Sequence, residues 1–361
     1  MKSSLKLFCA ALIGLSPLAA RAQQTQILTA DKHNEYGLIY TLPITNVEFT
    51  VTARHTVHTA GPYYQYAKKY VGSDKAVTAD YEEWEILKVE ARPVGVPDNE
   101  NRFLMQLKPG ALTSICVADD GMLLAINKEV EAPATGIPES ASELKQDVKV
   151  REYLQYVNED FIASQSTAKQ AQMLSESLME IRDAKVSLTR GTAETMPTDG
   201  RQLELMLRSL SHQEEAVTAA FMGITAEQTV VRKFTFQPGD NGRSILFRMS
   251  DFAGFTDTDD LSGDPAYVNV EITREGELPL NEKGEPKKFP KDGVVYNIPG
   301  AAKVTLSLNG RTLWSGEVEC SQYGEQFGLA PSLFSDKKER SYATFNPATG
   351  ALEKIGMANG E

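Results

Sequence analysis

The sequence predicts an α+β fold in which two antiparallel β units are separated along the chain by a helical hairpin. Apolar and polar residues alternate between residues 37 and 58, as they do in a half-buried strand. Between residues 139 and 223 the apolar residues are instead spaced by three and four, which is the helical period. Alternating segments return after residue 230 and predict a second group of strands.

The N-terminus has the three-part pattern of a secretory signal peptide. Lys2 and Lys6 precede an apolar stretch over residues 7–18, and small residues follow it up to Ala22. The apolar stretch is too short to span a bilayer. We therefore expect an exported protein, periplasmic or extracellular, whose signal peptide over residues 1–22 is cleaved after Ala22.

Composition limits the partners that can be expected. The formal charge is −12, and it would become −15 if Lys2, Lys6 and Arg21 left with the signal peptide. Nucleic acid is not an expected partner, because its phosphates require a basic surface. The rest of the chain has no apolar run of spanning length, so no membrane span is expected either.

Residues 23–132 are expected to form an N-terminal β domain. Its first strand is the alternating segment over residues 37–58, and a short helix is expected over residues 63–70. Residues 115–126 predict a hairpin that turns at Gly121, because glycine can adopt positive φ.

Residues 133–223 are expected to form the helical hairpin insert. In the first helix, apolar residues step by three and four from Ala171 to Leu188. The second helix is expected to begin at an N-cap, Asp199, and to end at Gly223. Two such amphipathic helices bury their apolar faces most simply against each other.

Residues 224–361 are expected to form a C-terminal β domain built largely from antiparallel hairpins. One segment in it, residues 293–299, repeats the Gly-x-x-Tyr-x-x-Pro pattern of residues 37–43. A duplicated β unit and chance convergence on a strand-entry motif both explain this echo. We expect the two β domains to pack together through these related segments.

Several short motifs together carry a family resemblance. They are Tyr40-Thr41-Leu42-Pro43, Gly61-Pro62-Tyr63 with Tyr66-Ala67 and Tyr70, residues 210–223, Tyr296-Asn297-Ile298-Pro299, Gln326-Phe327-Gly328 and Thr349-Gly350-Ala351-Leu352. These motifs resemble those of an uncharacterised Bacteroidetes family of exported proteins, domain-of-unknown-function family 4831. The resemblance extends over nearly all of the chain that follows the predicted signal. It implies a Gram-negative envelope or secreted setting, and it supplies no activity, ligand or catalytic residue.

The tyrosines of the predicted short helix are candidate binding residues. Tyr63, Tyr66 and Tyr70 fall at helical spacing and would form one aromatic stripe. Such a stripe can stack on sugar rings or contact a partner protein. Tyrosines that pack the helix onto a sheet are the alternative interpretation.

An acidic segment in the C-terminal region is the candidate metal site. Hard cations such as calcium accept oxygen ligands at this density. The spacing differs from that of an EF-hand loop, because Leu261 stands where the third ligand belongs. A solvated loop is the alternative interpretation. The candidate ligands are Asp257, Asp259, Asp260 and Asp264.

Two cysteines lie beyond the predicted signal, Cys116 and Cys320, each on a predicted strand. In an oxidising compartment they could form a disulfide that ties the first β domain to the last. Two buried free thiols fit the sequence equally well. Cys320 shares its strand face with Trp314 and Val318, so it is expected to point inward.

No sequence motif indicates catalysis. His55 and His58 are three residues apart on a strand, so their side chains should point to opposite faces and share no metal. The chain has no Gly-x-Ser-x-Gly elbow and no glycine-rich phosphate loop. We therefore predict no catalytic residues and no cofactor.

The function expected from these observations is a non-catalytic one. The protein would bind a protein or glycan partner in the envelope or outside the cell, or would use its helical hairpin for assembly there. The alternative is a hydrolase of envelope or dietary polymers that uses carboxylates brought together only by the fold.

Overall fold

Most of the chain is described by a computed structural model, which covers residues 24–27, 37–106, 114–131, 136–145, 148–335 and 340–357. Of the described residues, 47% lie in strands and 22% in helices. The predicted signal peptide lies outside the described residues.

The described residues contain fourteen strands and five α-helices. The strands are β1 (Gln24–Ile27), β2 (Leu38–Thr59), β3 (Tyr81–Gln106), β4 (Ile115–Val117), β5 (Leu123–Ile126), β6 (Ser140–Ala141), β7 (Ile224–Phe236), β8 (Gly242–Ser250), β9 (Gly254–Thr256), β10 (Asp264–Arg274), β11 (Val294–Leu308), β12 (Arg311–Leu329), β13 (Ser341–Phe345) and β14 (Leu352–Met357). The α-helices are α1 (Ala67–Tyr70), α2 (Glu159–Ala163), α3 (Thr167–Arg190), α4 (Gly200–Met222) and α5 (Ser332–Ser335). Short 3-10 helices occupy Tyr64–Tyr66 and Glu152–Gln155.

The strands are arranged in three antiparallel sheets within the described part of the chain. The strand order is β1-β3-β2-β7-β6 in the first sheet, β12-β11-β10-β8-β9 in the second and β14-β13-β5-β4 in the third. In the first sheet, the long strand β2 pairs with β3 on one side and with β7 on the other. These three strands carry the candidate site.

Strand β2 has one apolar and one polar face, as its alternating sequence predicts. Val47, Phe49, Val51 and Ala53 are fully buried on one face. They pack against residues of the second sheet that include Val268 and Leu306. The main core therefore lies between the first and second sheets, and the opposite face of β2 is available for polar groups.

The predicted α+β fold with two β units and an intervening helical hairpin is wrong. The structure is β-rich, and its sheets mix strands from both predicted units. Strand β7, which follows the helices in sequence, pairs with β2 along most of its length, and β13 pairs with β5. The alternation of residues identifies strands but not their partners. The helical segment is consequently an insert between two neighbouring strands of one sheet.

Helices α3 and α4 contact each other within this insert. Ser166 accepts a hydrogen bond from the backbone of Lys169 at the start of α3, and the predicted N-cap Asp199 accepts one from Gln202 at the start of α4. The helices share a buried cluster, which includes Leu174, Leu178, Ile181, Val217 and Phe221.

The two segments with the repeated sequence pattern contact each other, as predicted. The hydroxyl of Tyr40 accepts a hydrogen bond from the backbone nitrogen of Val295 (2.9 Å) and donates one to its carbonyl oxygen (3.3 Å). The amide of Asn297 donates to the carbonyl of Pro43 (3.3 Å). Tyr40 is fully buried in the second core, which also contains Val295 and residues of the third sheet.

Among the described residues, strand β3 forms the edge of the first sheet along most of its length, because β1 pairs with it only between Phe103 and Gln106. Pro93 and Pro97 lie in this exposed stretch. Proline has no N–H to donate, so it is compatible with an edge strand and opposes the addition of a further strand.

Candidate functional site

A cleft of about 580 Å³ lies at the end of the first sheet where β2 and β7 meet the start of β3. We call it the Thr56 cleft, after the residue at its centre. Its lining residues are Arg54, Thr56, His58, Tyr81, Glu82, Glu83, Trp84, Glu85, Thr225, Glu227, Asp251 and Phe252.

Strand register places three rows of polar side chains on the outward face of the sheet. Residues directly opposite each other in antiparallel strands lie on the same face. The central row is Glu83 on β3, Thr56 on β2 and Glu227 on β7. The rows on either side are Glu85, Arg54 and Thr229, and Tyr81, His58 and Thr225.

His55 lies on the opposite face of β2 and forms part of the support beneath the cleft. Its ring stacks on Trp84, with ring centroids 4.1 Å apart. The amide nitrogen of Gln228 donates to Nδ1 (2.7 Å), so Nε2 carries the proton and donates to Glu82 (2.7 Å). His55 is therefore a satisfied, buried residue, and it lies on the face opposite His58, as the two-residue period of the strand predicts.

His58 is on the cleft side, and its hydrogen bonding is incomplete. Its ring stacks on Tyr81, with centroids 4.2 Å apart, and Nδ1 lies 3.0 Å from the hydroxyl of Thr225. Nε2 of His58 is buried and has no hydrogen-bond partner among the described residues. The nearest carboxylate oxygen, on Glu83, is 3.7 Å away. Nε1 of Trp84 is likewise buried and unpaired.

An ordered turn presents an aromatic ring at the rim of the cleft. The backbone nitrogens of Phe252 and Ala253 donate to the hydroxyl of Ser250 (3.3 and 3.2 Å). The carbonyl of Asp251 accepts a hydrogen bond from the backbone of Trp84 (3.1 Å), which fixes the turn to the edge of β3. The ring of Phe252 is 72% exposed.

The cleft is strongly acidic. Among its described lining residues, five carry carboxylates and only Arg54 carries a permanent positive charge. Arg54 forms an ion pair with Glu85. Within the described part of the chain, Glu227 and Asp251 take part in no ion pair.

The candidate tyrosines lie in the connection between β2 and β3, where they pack against the helical insert rather than line the cleft. Tyr63 is 5% exposed, and its hydroxyl donates to Gln170 (3.2 Å). Tyr66 and Tyr70 are half-buried and pack against the same cluster, Tyr70 beside Phe221. The stripe thus holds the short helix against α3 and α4, and its use in ligand binding stays a prediction.

The candidate aspartates lie in exposed loop positions and at the start of β10. Asp260 caps the backbone of Ser262 (2.9 Å), and that hydrogen bond lowers the pKa of Asp260. Asp264 accepts a hydrogen bond from Asn309 (2.7 Å). No group of three or more His, Cys, Asp or Glu side chains in the described residues could hold a metal ion. Calcium binding by Asp257, Asp259, Asp260 and Asp264 stays a prediction.

The two cysteines lie in different sheets, and both thiols are free. Cys320 is fully buried in the main core, so it points inward as predicted. Its burial raises the pKa of the thiol to about 12. Cys116 is half-buried on β4, and its sulfur lies 3.6 Å from the carbonyl of Val130.

The Thr56 cleft was not predicted from the sequence. Its one local signal is at the start of β3, which reads Tyr-Glu-Glu-Trp-Glu, a dense mixture of acidic and aromatic side chains. The contributions of Glu227 and Phe252 depend on strand pairing and on one turn, which no local pattern reveals.

Comparisons with other proteins identify the family. In the described part of the chain, no helix is both long and apolar enough to cross a membrane. Neither a curated protein nor a solved structure matches the chain. A family model described as "Domain of unknown function (DUF4831)" matches residues 36–353, which include all three long strands of the cleft. The chain therefore belongs to the DUF4831 family.

Proposed function

We propose that this chain is an exported, non-catalytic protein that binds a glycan in the Thr56 cleft. The observation that carries this proposal is the unpaired buried nitrogen Nε2 of His58, a residue that lines the cleft. Buried polar atoms in folded proteins nearly always have partners. A hydroxyl group of a bound sugar would supply one.

The other lining groups suit the same ligand. The cleft's volume falls in the range of about 300 to 1,000 Å³ that is typical of small-molecule sites. Its carboxylates accept hydrogen bonds from hydroxyl groups, and the rings of Tyr81 and Phe252, 42% and 72% exposed, can pack against the C–H faces of sugar rings.

A glycan is favoured over an extended peptide by the edge of the sheet. Peptides commonly bind to sheets by adding a strand to an exposed edge. On β3, Pro93 and Pro97 lack the required N–H, and Trp84 already uses its N–H for Asp251. A glycan does not need the backbone of the edge strand, because it can bind to the side chains on the face of the sheet.

Export is supported by the pattern of charged, apolar and small residues that ends at Ala22. N-terminal sequencing of the protein purified from its native cells should begin at Gln23. Recovery of the folded protein with Met1 retained would contradict this part of the proposal.

Glycan binding can be tested by titrating the protein with a panel of neutral, acidic and amino-bearing oligosaccharides. Trp84 lines the cleft, so its fluorescence should change on binding. The Phe252→Ala variant should bind at least about tenfold more weakly, since it removes the exposed ring at the rim. Leu261→Ala removes an equally exposed apolar side chain, 82% exposed, outside the cleft and should bind normally. Failure of every oligosaccharide to bind, or equal binding by both variants, would overturn the proposal.

One observation favours a second candidate function, carboxylate-dependent hydrolysis. Glu83 on β3 and Glu227 on β7 lie on either side of Thr56, so both carboxylates are on the cleft side of the sheet. Glycosidases use two such carboxylates on either side of the bond that is cleaved. Prolonged incubation of bound oligosaccharides with the protein, followed by mass spectrometry, separates the two functions. Shorter products that disappear with Glu227→Gln would establish hydrolysis.

A further inference from the structure

We infer that the glycan of the Thr56 cleft is a linear chain of several sugar units, which extends past Thr225 into a second subsite beside the helical insert. This inference rests on the proposed glycan-binding function and specifies the shape and length of the ligand. It follows from a second cavity that adjoins the cleft and from the hydrogen-bonding groups that line this cavity.

The second cavity, of about 430 Å³, lies where the start of β7 meets α3 and α4. Like the Thr56 cleft, it falls in the range of about 300 to 1,000 Å³ that is typical of small-molecule sites. We call it the insert cavity. Its lining residues include Lys145, Arg182 of α3, Thr218 and Met222 of α4, and Thr225 of β7.

The insert cavity and the Thr56 cleft adjoin each other along β7. Thr225 is exposed and lines both of them, and its hydroxyl lies 3.0 Å from Nδ1 of His58. Farther along the strand, Lys145 of the insert cavity forms a backbone bridge with Glu227 of the cleft. Adjacent strands lie only about 4.8 Å apart. A bound chain therefore has to cross a single strand to pass from one cavity to the other.

The insert cavity presents a fixed group of hydrogen-bond donors. Nε of Arg182 donates to the carboxylate of Glu214 (2.8 Å), which holds the guanidinium group in place. The two terminal nitrogens of Arg182 make no hydrogen bond to any other residue in the described part of the chain. A guanidinium group presents its donors in a planar fork, so these nitrogens can donate to two neighbouring hydroxyl groups of a sugar ring.

The charges of the insert cavity are balanced, in contrast to those of the cleft. Glu214 accepts hydrogen bonds from Lys185 (2.7 Å) and Arg182 (2.8 Å), which together hold the pKa of its carboxyl group below its usual value. The other two charged lining residues, Lys145 and Glu215, have opposite signs. This balance suits the hydroxyl groups of a sugar unit better than it suits a free ion.

One glycan chain can use both cavities because it repeats its hydroxyl groups and ring faces from unit to unit. One part of the chain would contact His58 and Phe252 in the cleft, and the next part would contact Arg182 in the insert cavity. When two contacts belong to one molecule, the second contact forms intramolecularly, which strengthens binding. Affinity should therefore rise with chain length until both cavities are filled.

The test compares short and long chains of the same sugar. We would titrate the protein, by calorimetry, with trimers and octamers of 1,4-linked glucose, galacturonic acid and glucosamine. These chains represent the neutral, acidic and amino-bearing members of the oligosaccharide panel. In any series that binds, the octamer should bind at least about thirtyfold more tightly than the trimer.

Two substitutions in the insert cavity locate the second subsite. Arg182→Gln removes the free donors and Thr218→Trp fills the cavity, so each should weaken octamer binding about tenfold more than trimer binding. Phe252→Ala, at the rim of the cleft, should weaken both. The matched control is Arg208→Gln on α4, because Arg208 also donates to a glutamate, Glu204 (2.8 Å), but lines neither cavity. Thermal unfolding of each variant confirms that it is folded.

The possible outcomes distinguish this inference from the proposed function. Equal affinity for trimer and octamer, or an advantage of the octamer that survives both substitutions, would overturn the second subsite and leave glycan binding in the cleft in place. Binding of other sugars of the panel but of none of these linear chains would have the same meaning. Failure of every oligosaccharide to bind would overturn both.

Discussion

The two ends of the outward face of the first sheet are built from the same three strands but treat charge differently. At one end, Glu48 on β2 accepts hydrogen bonds from Arg92 on β3 (2.8 Å) and Lys233 on β7 (3.4 Å). At the other end, Thr56 on β2 is flanked by two carboxylates, Glu83 and Glu227. Glu48 is compensated by Arg92 and Lys233 at the first end, whereas Glu83 and Glu227 at the second end form no ion pair with a lysine or arginine among the described residues. The proposed function places the ligand at this second end.

The electrostatics of Glu48 support this contrast. Burial alone would raise the pKa of its carboxyl group, but the hydrogen bonds and positive charges of Arg92 and Lys233 hold the pKa below its usual value. The Glu48 side chain is only 14% exposed. This end of the face is therefore a stabilising element of the sheet.

The largest loss of stability is expected from a substitution on the apolar face of β2. It provides the reference against which substitutions at the two polar ends are compared. Phe49 is fully buried against the second sheet and contacts Trp314 edge-on, with ring centroids 5.6 Å apart. Phe49→Ala should reduce the free energy of unfolding by about 3 to 5 kcal/mol, measured by denaturant titration. A loss below about 1 kcal/mol would mean that this side of the sheet contributes little.

A smaller loss is expected at the Glu48 end. Glu48→Gln should reduce the free energy of unfolding by about 1 to 3 kcal/mol at neutral pH, because Arg92 and Lys233 lose their charged partner. The lowered pKa fixes the pH dependence: the contribution is present above the unfolded-state pKa of about 4.3 and is lost as pH falls through the lower folded-state value. The difference between wild type and variant should therefore shrink in acid. A difference that is constant between neutral and acidic pH would contradict this role of the charge.

The smallest effect is expected at the Thr56 end. Glu227→Gln should change the free energy of unfolding by less than about 0.5 kcal/mol, since Glu227 is exposed and forms no ion pair within the described part of the chain. Measurement without ligand, side by side with Glu48→Gln, tests the comparison directly. If Glu227→Gln destabilised the protein as much as Glu48→Gln, the carboxylate would be a structural group and the two ends would not differ.

Local features of the fold were predictable from the sequence, whereas the pairing of its strands into sheets was not. The alternation around Phe49 predicted β2, and Asp199 predicted the start of α4. The repeated Gly-x-x-Tyr-x-x-Pro pattern predicted that its two segments pack together, as Tyr40 and Val295 do. Each of these depends on residues that are close in sequence or share a motif. The partner of a strand depends on shape and burial across the whole molecule, which is why the division into two β units failed.

The sequence by itself determined the family of the chain, the periodicity of its strands and helices and the opposite orientations of His55 and His58. These follow from motifs and from the two-residue period of a strand. Only the tertiary structure decided that β7 lies beside β2, and hence that Glu227 faces Glu83 across Thr56. The physical reason is that the two acids are separated by more than a hundred residues, so only the pairing of distant strands brings their charges together.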